Sequence, residues 1–158
     1  MYKPQPSYTI NEATKKIEYF CAYQDRCHKE VSQKLKEMGM IPIAIDTILN
    51  TLIQENYLNE ERFAKSFARG KFRIKKWGKR RIINELKQRE ISKYNINTAL
   101  KEIDADDYLN TLHALAVKRT EAIKETNIQK KRKKLADYLL YRGWESNLVY
   151  EKITELIK

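Results

Sequence analysis

The sequence predicts an all-α fold, built as three tandem three-helix repeats in an elongated, curved array. Three observations carry that prediction. Turn-forming residues are scarce: the 158 residues hold four glycines and three prolines. The prolines, Pro4, Pro6 and Pro42, all lie within the first 42 residues, so the remainder lacks the residue that breaks helices. A β-sandwich, a barrel or a Gly-turned α/β sheet would need more of both. Next, apolar residues recur at helical spacing in three copies. Val31 to Leu35 aligns with Ile82 to Leu86 and with Leu135 to Leu139, at offsets of 51 and 53 residues. At the same offsets, Ile45, Leu49 and Leu52 fall on Ile96, Leu100 and Ile103, then on Val149, Ile153 and Leu156. Each triplet is i, i+4, i+7, one face of a helix. Finally, residues suited to capping bracket the helical segments.

Taken in order, Thr9 and Glu12 read as a capping box opening a helix to about Tyr23. A second helix spans about Arg26 to Met38 and stops at Gly39, a left-handed C-cap. Pro42 suits the first turn of a third, ending near Asn56. In the second copy Asn59 is a good N-cap, with Glu60 and Glu61 complementing the helix dipole. That helix turns Phe63, Ala64, Phe67 and Ala68 inward and ends near Lys75. Gly78 opens the next, to Arg89, and another spans about Tyr94 to Ile103. In the third copy Asp104 caps a long helix to about Glu125. A helix from about Ile128 to Arg142 ends at Gly143, matching Gly39, and the last runs from about Glu145 to Leu156. The expected organisation is a tail at 1–8 and repeats at 9–56, 57–103 and 104–158. Units of this kind pack on their neighbours and present extended surfaces to long or filamentous partners.

Charge is unevenly placed. The chain carries 32 Lys and Arg against 21 Asp and Glu, a net +11. Residues 1–68 are balanced, whereas 69–89 hold ten cations and one acid, Glu85. Lys130, Lys131, Arg132, Lys133 and Lys134 form a second run. Stability alone favours acids interspersed at i,i+4, so the central stretch points to a polyanionic partner or assembly. For 130–134 a solvated helix face is an equal alternative. Candidate binding residues are Arg69, Lys71, Arg73, Lys75, Lys76, Lys79, Arg80 and Arg81, with Lys130, Lys131 and Arg132 beside them.

Other chemistries find no support. There is no GxGxxG or GxxxxGK[ST] nucleotide motif. His28 and His113 sit in no metal-binding pattern. Cys21 and Cys27 lack CxxC spacing, and Cys27 reads as a structural residue at a helix start. Asp104, Asp106 and Asp107 are explained by opening a helix. Trp77 and Trp144 flank helix junctions, where core closure competes with base stacking. No apolar run could span a membrane, and the first ten residues lack a hydrophobic signal core. The expectation is a reduced, cytoplasmic, monomeric protein with no catalytic residues, no metal and no cofactor.

Tyr57-Leu-Asn-Glu-Glu-Arg-Phe-Ala64, then Lys71 to Arg73, then Trp77 to Ile91, resembles the signature of the RecX regulatory proteins. The segment Arg26 to Val31 with Lys34, Leu35 and Gly39 is similar to that family's first repeat, with Cys27 where many members have Ser. Lys130 to Leu135 with Leu139, Arg142, Gly143 and Trp144 is similar to the last, where Phe is usual at Trp144. Glu90 stands where a Gly is common. The resemblance implies tandem three-helix repeats. It also implies binding to the recombinase RecA, above all its filament on single-stranded DNA, in whose groove such proteins oppose growth and ATP turnover. Single-stranded DNA would then be met directly or through RecA. The rival reading is a direct DNA-binding helical module, with Asn84 and Gln88 as the candidate base readers. A third is a helical scaffold charged only for solubility.

Overall fold

The computed structural model describes residues 8–158, so the expected tail at 1–8 lies outside the described residues except for Tyr8. The described residues form nine helices and no strands. They are α1 (Ile10–Tyr23), α2 (His28–Glu37), α3 (Pro42–Gln54), α4 (Glu60–Arg73), α5 (Lys79–Gln88), α6 (Lys93–Leu100), α7 (Ala105–Ala122), α8 (Ile128–Tyr141) and α9 (Ser146–Leu156). They pack in consecutive threes: α1 to α3, α4 to α6 and α7 to α9.

The N-caps act as the side chains dictate. Thr9, Asn59, Ser92, Asp104 and Asn127 each accept a hydrogen bond from the backbone N–H three residues on. Cys27 and Gly78 are N-caps by backbone alone. Helix ends fall one to three residues inside several expected limits. α6 stops at Leu100 and not Ile103, because 101–103 close as a turn bonded to the carbonyls of Thr98, Ala99 and Leu100.

The repeat is most explicit where the second helix of each unit ends. Met40, Ile91 and Trp144 donate their backbone N–H to the carbonyls of Leu35, Leu86 and Leu139, at 3.0, 3.1 and 3.2 Å. The residues just before them, Gly39, Glu90 and Gly143, all have positive φ, of 83°, 60° and 91°. This is one Schellman stop built three times, and the residue after it seals an apolar contact.

Two hydrophobic cores form. One holds Ala13, Ile17, Cys21, Val31, Leu35, Ile45, Ile48, Leu52 and Leu58. The other runs without interruption through α4 to α9 and also takes in Cys27. Leu58, just past the expected end of the first repeat, thus packs into the first core, and Cys27 into the second. Of the predicted third-helix triplets, Leu49, Leu100 and Leu156 are half-buried and the other six residues buried. Phe67, expected inward, is also half-buried.

The second and third units meet at a tight backbone contact. A Cβ on Gly78 would collide with the Gly143 carbonyl, and one on Gly143 with Arg81. Gly78 and Arg80 donate backbone N–H groups to the carbonyls of Arg142 and Gly143, at 2.8 and 3.0 Å. The end of α8 therefore caps the start of α5. Trp144 is fully buried there, and its Nε1 donates to the Lys76 carbonyl at 3.2 Å. Tyr108, 4.5 Å from Trp144 between ring centroids, accepts from the Lys79 N–H at 2.8 Å and donates its hydroxyl to Glu145.

Candidate functional site

The central cations converge where α4 runs out and α5 begins. α4 needs its Phe63, Ala64, Ala68 and Phe72 in the core, which turns the intervening charged residues outward. Lys76 takes φ 59° to break the helix, and Gly78 starts the next. α5 then opens with Lys79, Arg80 and Arg81 and no acid in its first turn. Cations at that end oppose the helix dipole, each at a cost of about 0.3–1 kcal/mol. The negative end of α8, seated on the same turn, offsets part of it.

The predicted residues divide into two kinds. Arg73, Lys75, Lys76 and Arg80 are exposed, and none is ion-paired among the described residues. The others are engaged within the protein. Arg69 pairs with Glu102 at 3.1 Å. Lys71 lies 5.4 Å from the Phe67 ring and 5.1 Å from Trp77. Lys79 lies 4.6 Å from Tyr108. Arg81 sits between Trp77 and Tyr141, at 4.2 and 4.9 Å. Arg89 extends this row from the far side, 4.8 Å from Phe67, and its guanidinium pairs with Glu85 at 2.9 Å. Cations and ring faces thus alternate from Arg89 through Phe67, Lys71, Trp77 and Arg81 to Tyr141. The rings hold these cations in fixed positions, and of the three only Arg89 is also ion-paired among the described residues.

The 130–134 run does not join that row. It opens α8, and Lys131 is ten residues, about 15 Å along the axis, from Tyr141. Arg132 donates Nε and Nη2 to the Ile157 carbonyl at 3.0 and 2.8 Å, tying α8 to the end of α9. Lys133 pairs with Asp137 at 2.7 Å and Lys134 with Glu125 at 3.3 Å. Lys130 and Lys131 remain without ion pairs among the described residues.

Sequence reasoning missed the part played by Phe67, and left Trp77 between core closure and base stacking. Trp144 is core, and Trp77 packs half-buried on the same core with two cations over its ring. The i,i+4 spacing of Phe67 to Lys71 and of Trp77 to Arg81 was the available signal. Lys118 was missed too: with Arg73 and Lys76 it lines a cleft between the end of α4 and α7. Both cysteines are buried, and burial pushes their thiols up to about 11, so at neutral pH they are protonated and poor nucleophiles. His113 is exposed, its Nδ1 3.0 Å from Lys152 Nζ. Among the described residues no group of three His, Cys, Asp or Glu converges as a metal site would, and no helix is long and apolar enough to cross a membrane.

The family model for the RecX second three-helix domain matches residues 59–100, and that for the third matches 106–153. A Regulatory protein RecX of Vibrio campbellii is 31% identical over 144 residues, which cover 91% of this chain and 90% of that protein. The chain belongs to the RecX family. A RecX of Clostridioides difficile is 26% identical over 136 residues, or 86% of this chain. The match spans 64% of that relative's length, less than two thirds. The crystal structure of RecX from Lactobacillus salivarius superposes with a TM-score of 0.80, over 93% of this chain and 96% of that one, at 24% identity. The three-helix units are thus the RecX fold. The basic row lies within the segment matched as the second RecX domain except for Tyr141, which falls in the third, and the Gly78–Gly143 contact also joins the two segments. These relatives are named regulatory proteins.

Proposed function

We propose that this RecX-family chain is a non-enzymatic regulator of the RecA recombinase. It binds RecA, chiefly the filament on single-stranded DNA, and inhibits filament growth, ATP turnover and strand exchange. It thereby modulates recombination, DNA repair and the SOS response, acting as a cytoplasmic monomer. The observation that carries this reading is the α4–α5 corner. Four cations without ion pairs among the described residues, Arg73, Lys75, Lys76 and Arg80, stand beside a row of cations held on aromatic rings. A filament of protein and DNA offers both acidic side chains and phosphates to such a corner. Attraction of this kind speeds encounter and fixes register. Lys130 and Lys131 supply a second, separate contact on α8.

The test is ATP hydrolysis by RecA on single-stranded DNA, titrated with this protein. Inhibition is expected well below one protein per recombinase. The R73E/K75E/K76E/R80E variant, altered only at exposed positions, is expected to lose it while keeping its helicity. Full inhibition by that variant would remove the corner from the mechanism.

One observation favours a second reading, a direct DNA-binding module. Arg80, Asn84 and Gln88 line one shallow groove of α5 with Tyr141, so cations and amides that can read base edges share a surface. Selection from random duplexes would yield a reproducible sequence under this reading and none under the first.

A further inference from the structure

The balanced charge of residues 1–68 conceals a segregated surface on the first unit. A depression between α1 and α2 is lined by the rings of Tyr8, Tyr19, Phe20 and Tyr23. Four cations, Lys15, Lys16, Arg26 and Lys34, share its wall, and no acid does. None of the four is ion-paired among the described residues. Two of the rings are already taken. Arg26 lies 3.8 Å from the Phe20 ring and is fixed there by its Nε donating to the Phe20 carbonyl at 3.1 Å. Lys16 lies 4.9 Å from the Tyr8 ring. The other two, Tyr19 and Tyr23, are each 74% exposed, and among the described residues no cation lies over either face.

Lys15, Tyr19 and Tyr23 follow one another at i,i+4, on one stripe of α1 with steps of about 6 Å. Two bare aromatic faces in line, flanked by cations, repeat along the helix as bases and phosphates repeat along a strand. In a duplex the base faces are covered by their neighbours; in an unpaired strand they are open to stacking. From this geometry we infer that the first unit carries its own binding site for single-stranded nucleic acid. Unpaired bases stack on Tyr19 and Tyr23, and Lys15, Lys16 and Lys34 meet the phosphates. The site is separate from the α4–α5 corner and needs no recombinase, so it stands or falls apart from the function proposed above.

The test uses the whole protein, without recombinase, and the anisotropy of a labelled oligothymidylate at fixed salt. An abasic strand of equal length is the control, since it keeps the phosphates and removes the bases. Y19A/Y23A is expected to weaken binding of oligothymidylate roughly tenfold or more and to leave the abasic strand unchanged. Y19F/Y23F, which keeps the rings, is expected to bind like the parent. K15E/K16E is expected to weaken both strands. Unchanged affinity of Y19A/Y23A for oligothymidylate, an equal loss on the abasic strand, or failure of the phenylalanine variant to bind would each overturn the inference. Both tyrosines are largely exposed, so these variants are expected to match the parent's circular dichroism.

Discussion

Glu90 ends α5 with φ 60°, a conformation that costs an L side chain about 1–2 kcal/mol and glycine nothing of that kind. The equivalent residues of the other units, Gly39 and Gly143, are glycines. The unfolded chain loses more entropy at glycine, which reduces the gain from replacing Glu90. E90G is therefore expected to stabilise the protein by about 0.5–1 kcal/mol, read as a raised urea midpoint at unchanged slope. The two native glycines are expected to differ sharply when changed to alanine. Gly39 has open space where a Cβ would go, so G39A costs only the strain of positive φ, about 1 kcal/mol. At Gly143 the same Cβ would strike the Arg81 backbone. G143A is expected to cost at least twice as much, and equal midpoints for the two variants would refute that.

At the scale of elements, long contacts between polar groups decide how helices meet across units. Arg62 is the clearest case. From α4 it donates to Asp25 Oδ1 at 2.8 Å, to Asn56 Oδ1 and the Asn56 carbonyl at 3.2 Å, and to the Tyr57 carbonyl at 3.1 Å. One guanidinium thus joins the loop after α1 to the end of α3. Asn56 itself is left-handed, at φ 62°, which helps turn these carbonyls toward Arg62. Each bond is partly solvated and worth about 0.5–1.5 kcal/mol net. R62A is expected to cost about 1–3 kcal/mol. R62K is expected to recover little of it, because an ammonium lacks the planar fork that reaches several oxygens at once. Recovery of parental stability by R62K would show that charge alone matters there. The α5–α8 junction follows a different rule. Backbone meets backbone through Gly78 and Gly143, so shape and not charge sets its register.

At the scale of the molecule the three units are not equivalent. Units two and three share one continuous core, whereas unit one has its own and is joined by Arg62, by Lys29 Nζ donating to the Gln88 carbonyl at 2.8 Å, and by Cys27. The first core is also smaller, with ten buried residues against twenty-one. Less buried apolar surface means a lower local free energy of opening. Both tryptophans, Trp77 and Trp144, belong to the larger core or pack on it. Urea unfolding is accordingly expected to be non-coincident: far-UV circular dichroism falls before tryptophan fluorescence changes. Superimposable curves would mean that the three units unfold as one.

The helices, their caps and the threefold repeat were legible in the chain because their causes are local. An N-cap acts over three residues, a Schellman stop over six and an amphipathic face over seven, so each leaves a pattern in a short window. The RecX-like signature from Tyr57 to Ile91 is likewise a local run, and it identified the family. What the cations do was not legible, since their partners are distant in sequence. Arg69 meets Glu102, Arg132 meets the Ile157 carbonyl, and Arg81 meets Tyr141 sixty residues away. A count of charge over 69–89 or 130–134 treats all cations alike, and only packing separates those held by the protein from Arg73, Lys75, Lys76 and Arg80, which are exposed and have no ion pair among the described residues. The same holds in unit one, whose charges cancel in the sum while the fold gathers cations and tyrosines on one wall. Charge is additive along a chain, whereas the field at a surface depends on where each charge lies in space, and tertiary structure alone sets that.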